Sequence, residues 1–270
     1  MDSNTSLFCV IGNPVAHSLS PLIHNLAFKV TKFNGAYVAF KVEDIKTSIE
    51  GIRALGIKGA SITIPHKLEV MNSLDYIDKT AEDIGAVNTI INENGVLKGL
   101  NTDCDGAIKA LKIKTEIKDK KILIFGSGGS ARAIGYGINK SSGDLTITNR
   151  TTQKGVDLAN FLSCEFTGLD KINVSDFDIL INTTSLGMHP NVDSSPIDLN
   201  SLHSKQVVMD IVYNPLKTKL LKDAEKKGCI TVNGIEMFVN QAVLQFEAWT
   251  GLKGPYIEMK NAVLEELTKR

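Results

Sequence analysis

The stretch Lys120-Lys121-Ile122-Leu123-Ile124-Phe125-Gly126-Ser127-Gly128-Gly129-Ser130-Ala131-Arg132-Ala133-Ile134-Gly135-Tyr136-Gly137-Ile138 decides the fold. An apolar run over 121–125 reads as a buried strand, and residues 130–140 carry a helical pattern. Between them lies a turn of glycines and small residues. A strand that feeds a helix through such a turn leaves backbone N–H groups and the positive helix end pointing outward, a ready site for a pyrophosphate. Gly126 suits the tight turn, and Gly128 lets backbone approach a ligand. Ala131 takes the third small position, where helix packs closely on strand. A purely structural turn uses the same residues. The strand–turn–helix context is what favours a dinucleotide.

The next strand chooses between dinucleotides. It ends Thr146-Ile147-Thr148-Asn149-Arg150-Thr151, about twenty residues beyond the glycines, where an NAD site carries an acid for the ribose 2′-hydroxyl. No acid stands there. Arg150 can fork onto a 2′-phosphate, and Lys154 adds a second charge one turn on. Asn149 and Thr151 supply polar contacts. Solvated surface cations are the plain alternative; their position favours NADP.

Outward from this unit, strands are expected over 7–11, 36–42, 60–64, 87–91, 145–148, 179–182, 207–211 and 229–232. Helices are expected over 21–30, 45–55, 67–74, 103–113, 153–162, 236–250 and 255–269. Alternation of this kind predicts an α/β protein with largely parallel sheets. At 270 residues the chain is long enough for about two domains. The polar stretch 112–121 is the candidate linker. The last two helices have no sheet of their own, so they are expected to pack back on the first domain. Apolar residues make up 43% and charged residues 22%, the balance of a folding chain. Thirty Lys+Arg offset thirty Asp+Glu, against a nucleic-acid partner. Apolar runs are too short for a membrane span. Cys9, Cys104, Cys164 and Cys229 are scattered and the histidines lack ligand spacing, so neither disulfides nor a metal site are expected and the chain reads as cytoplasmic.

The first domain lacks a glycine fingerprint and should hold the substrate. In Ser18-Leu19-Ser20-Pro21, Ser20 reads as a helix N-cap before proline, while Ser18 has no such excuse; together they suit a carboxylate. In Thr63-Ile64-Pro65-His66-Lys67, Lys67 falls in the first turn of the expected helix, where the dipole disfavours a cation. That placement with partial burial would lower its pKa and suit it to proton transfer; an exposed lysine is the plain alternative. Asp103 can cap the following helix or orient Lys67. Asn88 can serve a ligand, or equally a turn or a cap. On the helix near 237–250, Met237, Gln241 and Gln245 form a stripe beside the apolar face of Phe238, Ala242, Phe246 and Trp249. Met237 suits the core, and Gln241 can reach a hydroxyl.

Taken in order, these segments resemble the shikimate dehydrogenase family. The resemblance spans nearly the whole chain, through Ile11-Gly12-Asn13-Pro14, the segments quoted above, Ala86-Val87-Asn88-Thr89, Asn101-Thr102-Asp103, Asn182-Thr183-Thr184-Ser185, Asp210-Ile211-Val212-Tyr213-Asn214-Pro215, Asn233-Gly234 and Trp249-Thr250-Gly251. It implies NADPH-dependent, reversible reduction of 3-dehydroshikimate to shikimate, on the route to chorismate and aromatic amino acids. The implied organisation is an α/β substrate domain (1–104 with 236–270) and a Rossmann-like NADP-binding domain (105–235), with a cleft between them. Ser18 and Ser20 match the residues that hold the substrate carboxylate. Thr63, Lys67, Asn88, Asp103 and Gln241 match those around the ring hydroxyls, with Tyr213 nearby, and Lys67 and Asp103 match the catalytic pair. The cofactor set is Gly126, Ser127, Gly128, Gly129, Ser130, Ala131, Asn149, Arg150, Thr151, Lys154, Thr183, Ile211, Gly234 and Met237. The sequence departs from the family at Ser61, often Asn, at Ser127 and Ser130, often Ala, and at Lys154, often Arg. A broad-specificity quinate/shikimate dehydrogenase and a dinucleotide-sensing protein without chemistry are the rival readings. A monomer or homodimer acting on a small molecule is expected.

Overall fold

Short apolar runs separated by amphipathic helices cannot close as hairpins, so they pair in parallel with helices covering both faces. The computed structural model describes residues 1–197 and 202–269 and contains two sheets, one mixed and one wholly parallel. They lie in two compact units, Met1–Thr102 with Gln241–Glu266, and Asp103–Asn240 with Leu267–Arg270.

The first unit contains β1 (Ser6–Gly12), α1 (Ser20–Thr31), β2 (Gly35–Lys41), α2 (Ile45–Ala54), β3 (Gly59–Ile62), β4 (Tyr76–Ile77), α3 (Lys79–Ile84), β5 (Thr89–Glu93) and β6 (Val96–Leu100). Its strand order is β2-β1-β3-β5-β6-β4. β1 runs parallel to β2 and β3, whereas β5 is antiparallel to both β3 and β6. Asn94 and Gly95, both at positive φ, make the β5–β6 hairpin turn. On one face, Ile45, Ile49 and Ile52 of α2 pack against Cys9, Ile11, Ile62 and Ile90.

The second unit contains α4 (Asp103–Lys112), β7 (Lys121–Phe125), α5 (Gly129–Lys140), β8 (Asp144–Thr148), α6 (Thr152–Leu162), β9 (Glu165–Phe166), β10 (Ile179–Asn182), β11 (Val207–Asp210), α7 (Lys219–Lys226) and β12 (Ile230–Val232). The order β9-β8-β7-β10-β11-β12, every neighbouring pair parallel, is the doubly wound Rossmann arrangement. The order of strand addition reverses between the parallel neighbours β7 and β10, where such sheets bind ligands. Ala107, Ile134 and Leu158 cover one face; Leu220, Leu221 and Ala224 of α7 help cover the other.

Helices α8 (Gly234–Thr250) and α9 (Tyr256–Lys269) end the chain. Residues 241–266 of this pair belong to the first unit. There Trp249 Nε1 donates to Ile90 O at 2.9 Å, a contact that requires Gly59, because a Cβ at that position would lie 2.3 Å from Trp249 Nε1.

Two local expectations fail. Residues 64–68 form turns, followed by a 3-10 helix, Glu69–Ser73, rather than an α-helix over 67–74. Val87 N donates to Lys67 O, so the lysine carbonyl serves the neighbouring segment instead of a helical ladder. Ser20 is the first residue of α1; Leu19 is its N-cap and makes no side-chain capping bond. Among the described residues no helix is long and apolar enough to cross a membrane, and no metal-ligating cluster occurs. Cys9, Cys104 and Cys229 are buried thiols and Cys164 is half-buried.

Candidate active site

In the first unit, the parallel strands β1 and β3 end side by side, with Ile11 opposite Ile62. The loops that follow are therefore neighbours. Thr63 N donates to Ile11 O at 2.9 Å and Asn13 N to Ile64 O at 2.8 Å. Gly12 permits this approach, since a Cβ there would lie 2.3 Å from the Thr63 methyl. In the loop after β1, Ser18 Oγ accepts from Ser20 N at 3.2 Å.

Three polar segments that are separate in sequence are laced together beside these loops. Val87 N donates to Lys67 O at 2.8 Å. Asn101 Nδ2 donates to Ala86 O at 2.8 Å. Asn88 Oδ1 accepts from Thr102 N at 2.8 Å, and Asn88 Nδ2 donates to Thr102 Oγ1 at 3.0 Å. Lys67 is half-buried, and Asn88 is buried. Asp103, the next residue after Thr102, opens α4 and is 4% exposed. Asn88 is thus a cross-brace, not a turn or cap.

Gln241 follows from the register of α8. Trp249 bonds at the level of Ile90, and Gln245, one turn earlier, bonds Asn88 O and Thr89 Oγ1. One helical turn rises about 6 Å, close to two strand residues. The same stripe continues to Gln241, one helical turn before Gln245.

In the second unit, Gly128 is the N-cap of α5 with φ −86° and no side-chain cap bond. A Cβ at Gly128 would meet nothing within 4 Å. The helix start at Gly128 therefore borders open space, which fits a pyrophosphate. Gly126 differs. Its φ is +116°, and a Cβ would lie 2.5 Å from Thr183 Oγ1. Thr183 is pinned, its N and Oγ1 both donating to Phe125 O at 2.9 and 2.7 Å. This brings Thr183 to the glycine turn at the β7–β10 reversal. Ser127, Gly129 and Ser130 are half-buried around it, and Ala131 is fully buried in the core.

At the end of β8, Asn149 Nδ2 donates to Thr151 O at 2.9 Å. Thr151 caps α6 without a side-chain cap bond, and the first turn holds no acid. Arg150 and Lys154 are exposed. Two cations at a positive helix end are unfavourable unless an anion joins them. Both observations fit the 2′-phosphate of NADP. Gly234 lets α8 start against Ile211, whose carbonyl oxygen a Cβ would approach to 2.4 Å. Met237 is 6% exposed and packs in the core of the unit. Tyr213 stacks on Phe238, with ring centroids 4.3 Å apart.

Several polar residues around these motifs had no individual sequence signal. Asp210 accepts from Asn182 Nδ2, Val212 N and Thr218 Oγ1 at 3.0, 3.0 and 2.6 Å. Burial raises its carboxyl to about 6. This brace ties the ends of β10 and β11 to α7 and steadies the loop that bears Tyr213. Ser61, Thr89 and Gln245 form a second buried group behind Asn88. His24 is buried against Tyr37 and Trp249, and burial drives its pKa down to about 3.

Comparison with known proteins agrees with this arrangement. Residues 10–90 match the family profile described as the shikimate dehydrogenase substrate binding domain. Residues 109–216 match the shikimate / quinate 5-dehydrogenase profile, and 234–264 the shikimate 5′-dehydrogenase C-terminal domain. A shikimate dehydrogenase (NADP(+)) from Methanococcus aeolicus is 46% identical over 278 residues, covering 99% of this chain and 100% of its own. A crystal structure of shikimate dehydrogenase in complex with NADP+ has a TM-score of 0.94 at 43% identity, covering 99% of this chain and 97% of that one. The Thermus thermophilus enzyme in complex with NADP(H) and shikimate gives 0.90 at 31%, covering 97% of this chain and 99% of that one. On this identity, over nearly its full length, the chain belongs to the shikimate dehydrogenase family.

Proposed function

We propose that the protein catalyses the NADPH-dependent, reversible reduction of 3-dehydroshikimate to shikimate, in the pathway to chorismate and the aromatic amino acids. The observation that carries this reading is the lacing of the Lys67, Val87–Asn88 and Asn101–Thr102 segments into one polar group within the first unit. Residues 1–104 with 236–270 act as the substrate domain, and 105–235 bind NADP. Ser18 and Ser20 hold the substrate carboxylate beside the start of α1. Thr63, Asn88 and Gln241 bind the ring hydroxyls, and Tyr213 contributes from its loop.

Lys67 gives a proton from Nζ to the oxygen of the ring ketone as that oxygen becomes an alkoxide; in the reverse direction it takes the hydroxyl proton back. Asp103 accepts a hydrogen bond from the amine, holding it in place and stabilising its charged form. NADPH, when bound, supplies the hydride. The glycine turn 126–131 binds its pyrophosphate, and Asn149, Arg150, Thr151 and Lys154 surround its 2′-phosphate. Thr183, Ile211, Gly234 and Met237 line the remainder. Orientation and charge are the protein's contribution to such chemistry.

A quinate-using enzyme dependent on NAD would carry an acid at the end of β8, where Asn149 and Arg150 stand. The test is direct. Purified protein is mixed with shikimate or quinate and NADP or NAD, and nicotinamide absorbance is followed. Fastest turnover with shikimate and NADP is expected. Absence of turnover with either acid would refute the reading and leave a dinucleotide sensor. The protein is cytoplasmic and acts as a monomer or homodimer, which sedimentation will distinguish.

A further inference from the structure

Behind Asn88 runs one continuous buried chain of hydrogen bonds. Tyr37 Oη donates to Ser61 Oγ at 2.6 Å, and Ser61 Oγ donates to Gln245 Oε1 at 2.7 Å. Gln245 Nε2 donates to Thr89 Oγ1 at 2.9 Å and to Asn88 O at 3.1 Å. Thr89 Oγ1 donates in turn to Asn88 Oδ1 at 2.7 Å. Gln245 is 1% exposed and Thr89 is fully buried. Burial also pushes the Tyr37 phenol well above its ordinary value of 10, so it remains a donor.

Two main-chain groups fix the polarity of this chain. Asn88 C=O can only accept, so the Gln245 amide must turn its nitrogen toward it. Thr102 N–H can only donate, so Asn88 must turn Oδ1 toward it. Between these ends, each hydroxyl gives one proton in one direction. Reversing the Asn88 amide would set its NH2 against two donors, Thr102 N–H and Thr89 Oγ1–H. Gln245 sits at the branch point and also anchors α8 one turn from Gln241.

We propose that Gln245 is a positioning residue that holds Asn88 and Gln241 in the geometry that binds the ring hydroxyls of the polyol substrate. This rests on the function proposed above. Gln245 acts through its neighbours, on substrate affinity and not on the affinity for NADP. It also accounts for Ser61, where the family resemblance leads one to expect Asn. The short hydroxyl leaves room for an amide delivered from α8 in place of one delivered from β3.

The test uses the full-length protein with Gln245→Leu, which keeps volume and removes the amide. A second variant, Ser61→Asn with Gln245→Ala, returns an amide from the strand. Substrate affinity is read without turnover from the fluorescence of Trp249, the chain's single tryptophan, and by KM from nicotinamide absorbance. Misplacing binding groups by about 1 Å can cost about a hundredfold, so a rise in Kd and KM for shikimate of about ten- to a hundredfold is expected in Gln245→Leu. The NADP constants should stay within about twofold, as that misplacement does not touch them. The double variant should recover most of the loss. If shikimate and NADP affinity fall together with the unfolding midpoint, Gln245 is merely structural and the proposal fails. It fails equally if shikimate affinity is unchanged, or if the double variant binds no better than Gln245→Leu. Wild-type protein that binds shikimate without turning it over would remove the catalytic reading alone, and the variants still decide the positioning role. Wild-type protein that binds no shikimate overturns both.

Discussion

Gly126 and Gly128 stand two residues apart in the same turn, yet the structure assigns them opposite sensitivities to one added methyl group. At Gly128, φ is −86° and ψ −174°, a conformation alanine adopts freely, and the methyl meets nothing within 4 Å. Alanine is a poorer N-cap than glycine but stiffens the unfolded chain; each effect is worth up to about 1 kcal/mol and they oppose. Stability of Gly128→Ala should therefore move by less than about 1 kcal/mol. The methyl instead occupies the space through which backbone approaches a pyrophosphate. Losing one or two charge-assisted hydrogen bonds, each about 1.5–3 kcal/mol, weakens NADP by at least about tenfold. At Gly126, φ of +116° costs a non-glycine residue about 1–3 kcal/mol. The Cβ also lies 2.5 Å from Thr183 Oγ1, which donates to Phe125 O and cannot move without breaking that bond. Together these place Gly126→Ala about 2–4 kcal/mol below the parent in stability. Denaturant unfolding and NADP titration of both variants form the assay. Unchanged NADP affinity in Gly128→Ala, or an unchanged midpoint in Gly126→Ala, would refute the account of this turn.

Lys67→Ala should lower turnover by about 10²–10⁴-fold, the usual worth of acid–base help, while NADP affinity is retained; near-normal turnover would remove Lys67 from proton transfer. Arg150→Ala should weaken NADP far more than NAD, because only NADP has the 2′-phosphate; equal losses would reduce Arg150 to loop support. His24 titrates near 6.5 in an unfolded chain and about 3 when buried. As pH falls through 6.5 toward 3 the unfolded chain takes up a proton that the folded chain refuses, so stability drops, by about 2 kcal/mol between pH 7 and pH 5. His24→Leu should abolish that part of the slope, and parallel curves for the two proteins would contradict it.

Much of the second unit is legible because each signal is local. The glycine turn, the strand before it and the cations after β8 all lie within one βαβ stretch, and their residue types answer to backbone geometry and phosphate charge. The first unit is harder. Its site is assembled by contacts between segments such as Lys67 with Val87 and Asn88 with Thr102, which no spacing rule anticipates. Family resemblance supplied the residues there; geometry supplied the bracing. Lys67 also shows a local rule misapplied. Pro65 reads as a helix opener, but the chain turns and leaves only the 3-10 helix at Glu69–Ser73, so the dipole argument for Lys67 lapses. Helix α7 carries little sequence signal although Thr218 caps it, its side chain accepting from Leu221 N, with Leu220, Leu221 and Ala224 on its buried face. Eight residues give too short a period to stand out. Gln245 is visible in the stripe of α8, but its partners Ser61 and Thr89 lie 184 and 156 residues earlier, on strands of the sheet.

The scattered thiols have a practical consequence. Burial pushes Cys9 and Cys104 up to about 12 and Cys164 up to about 11, and it is the thiolate that attacks electrophiles. The native chain should therefore be nearly inert to alkylating reagents. Cys9 belongs to one unit and Cys104 to the other, and both are buried, so each becomes a silent chemical clock. The rate at which an alkylating label reaches each sulfur reports how often its own half of the chain opens.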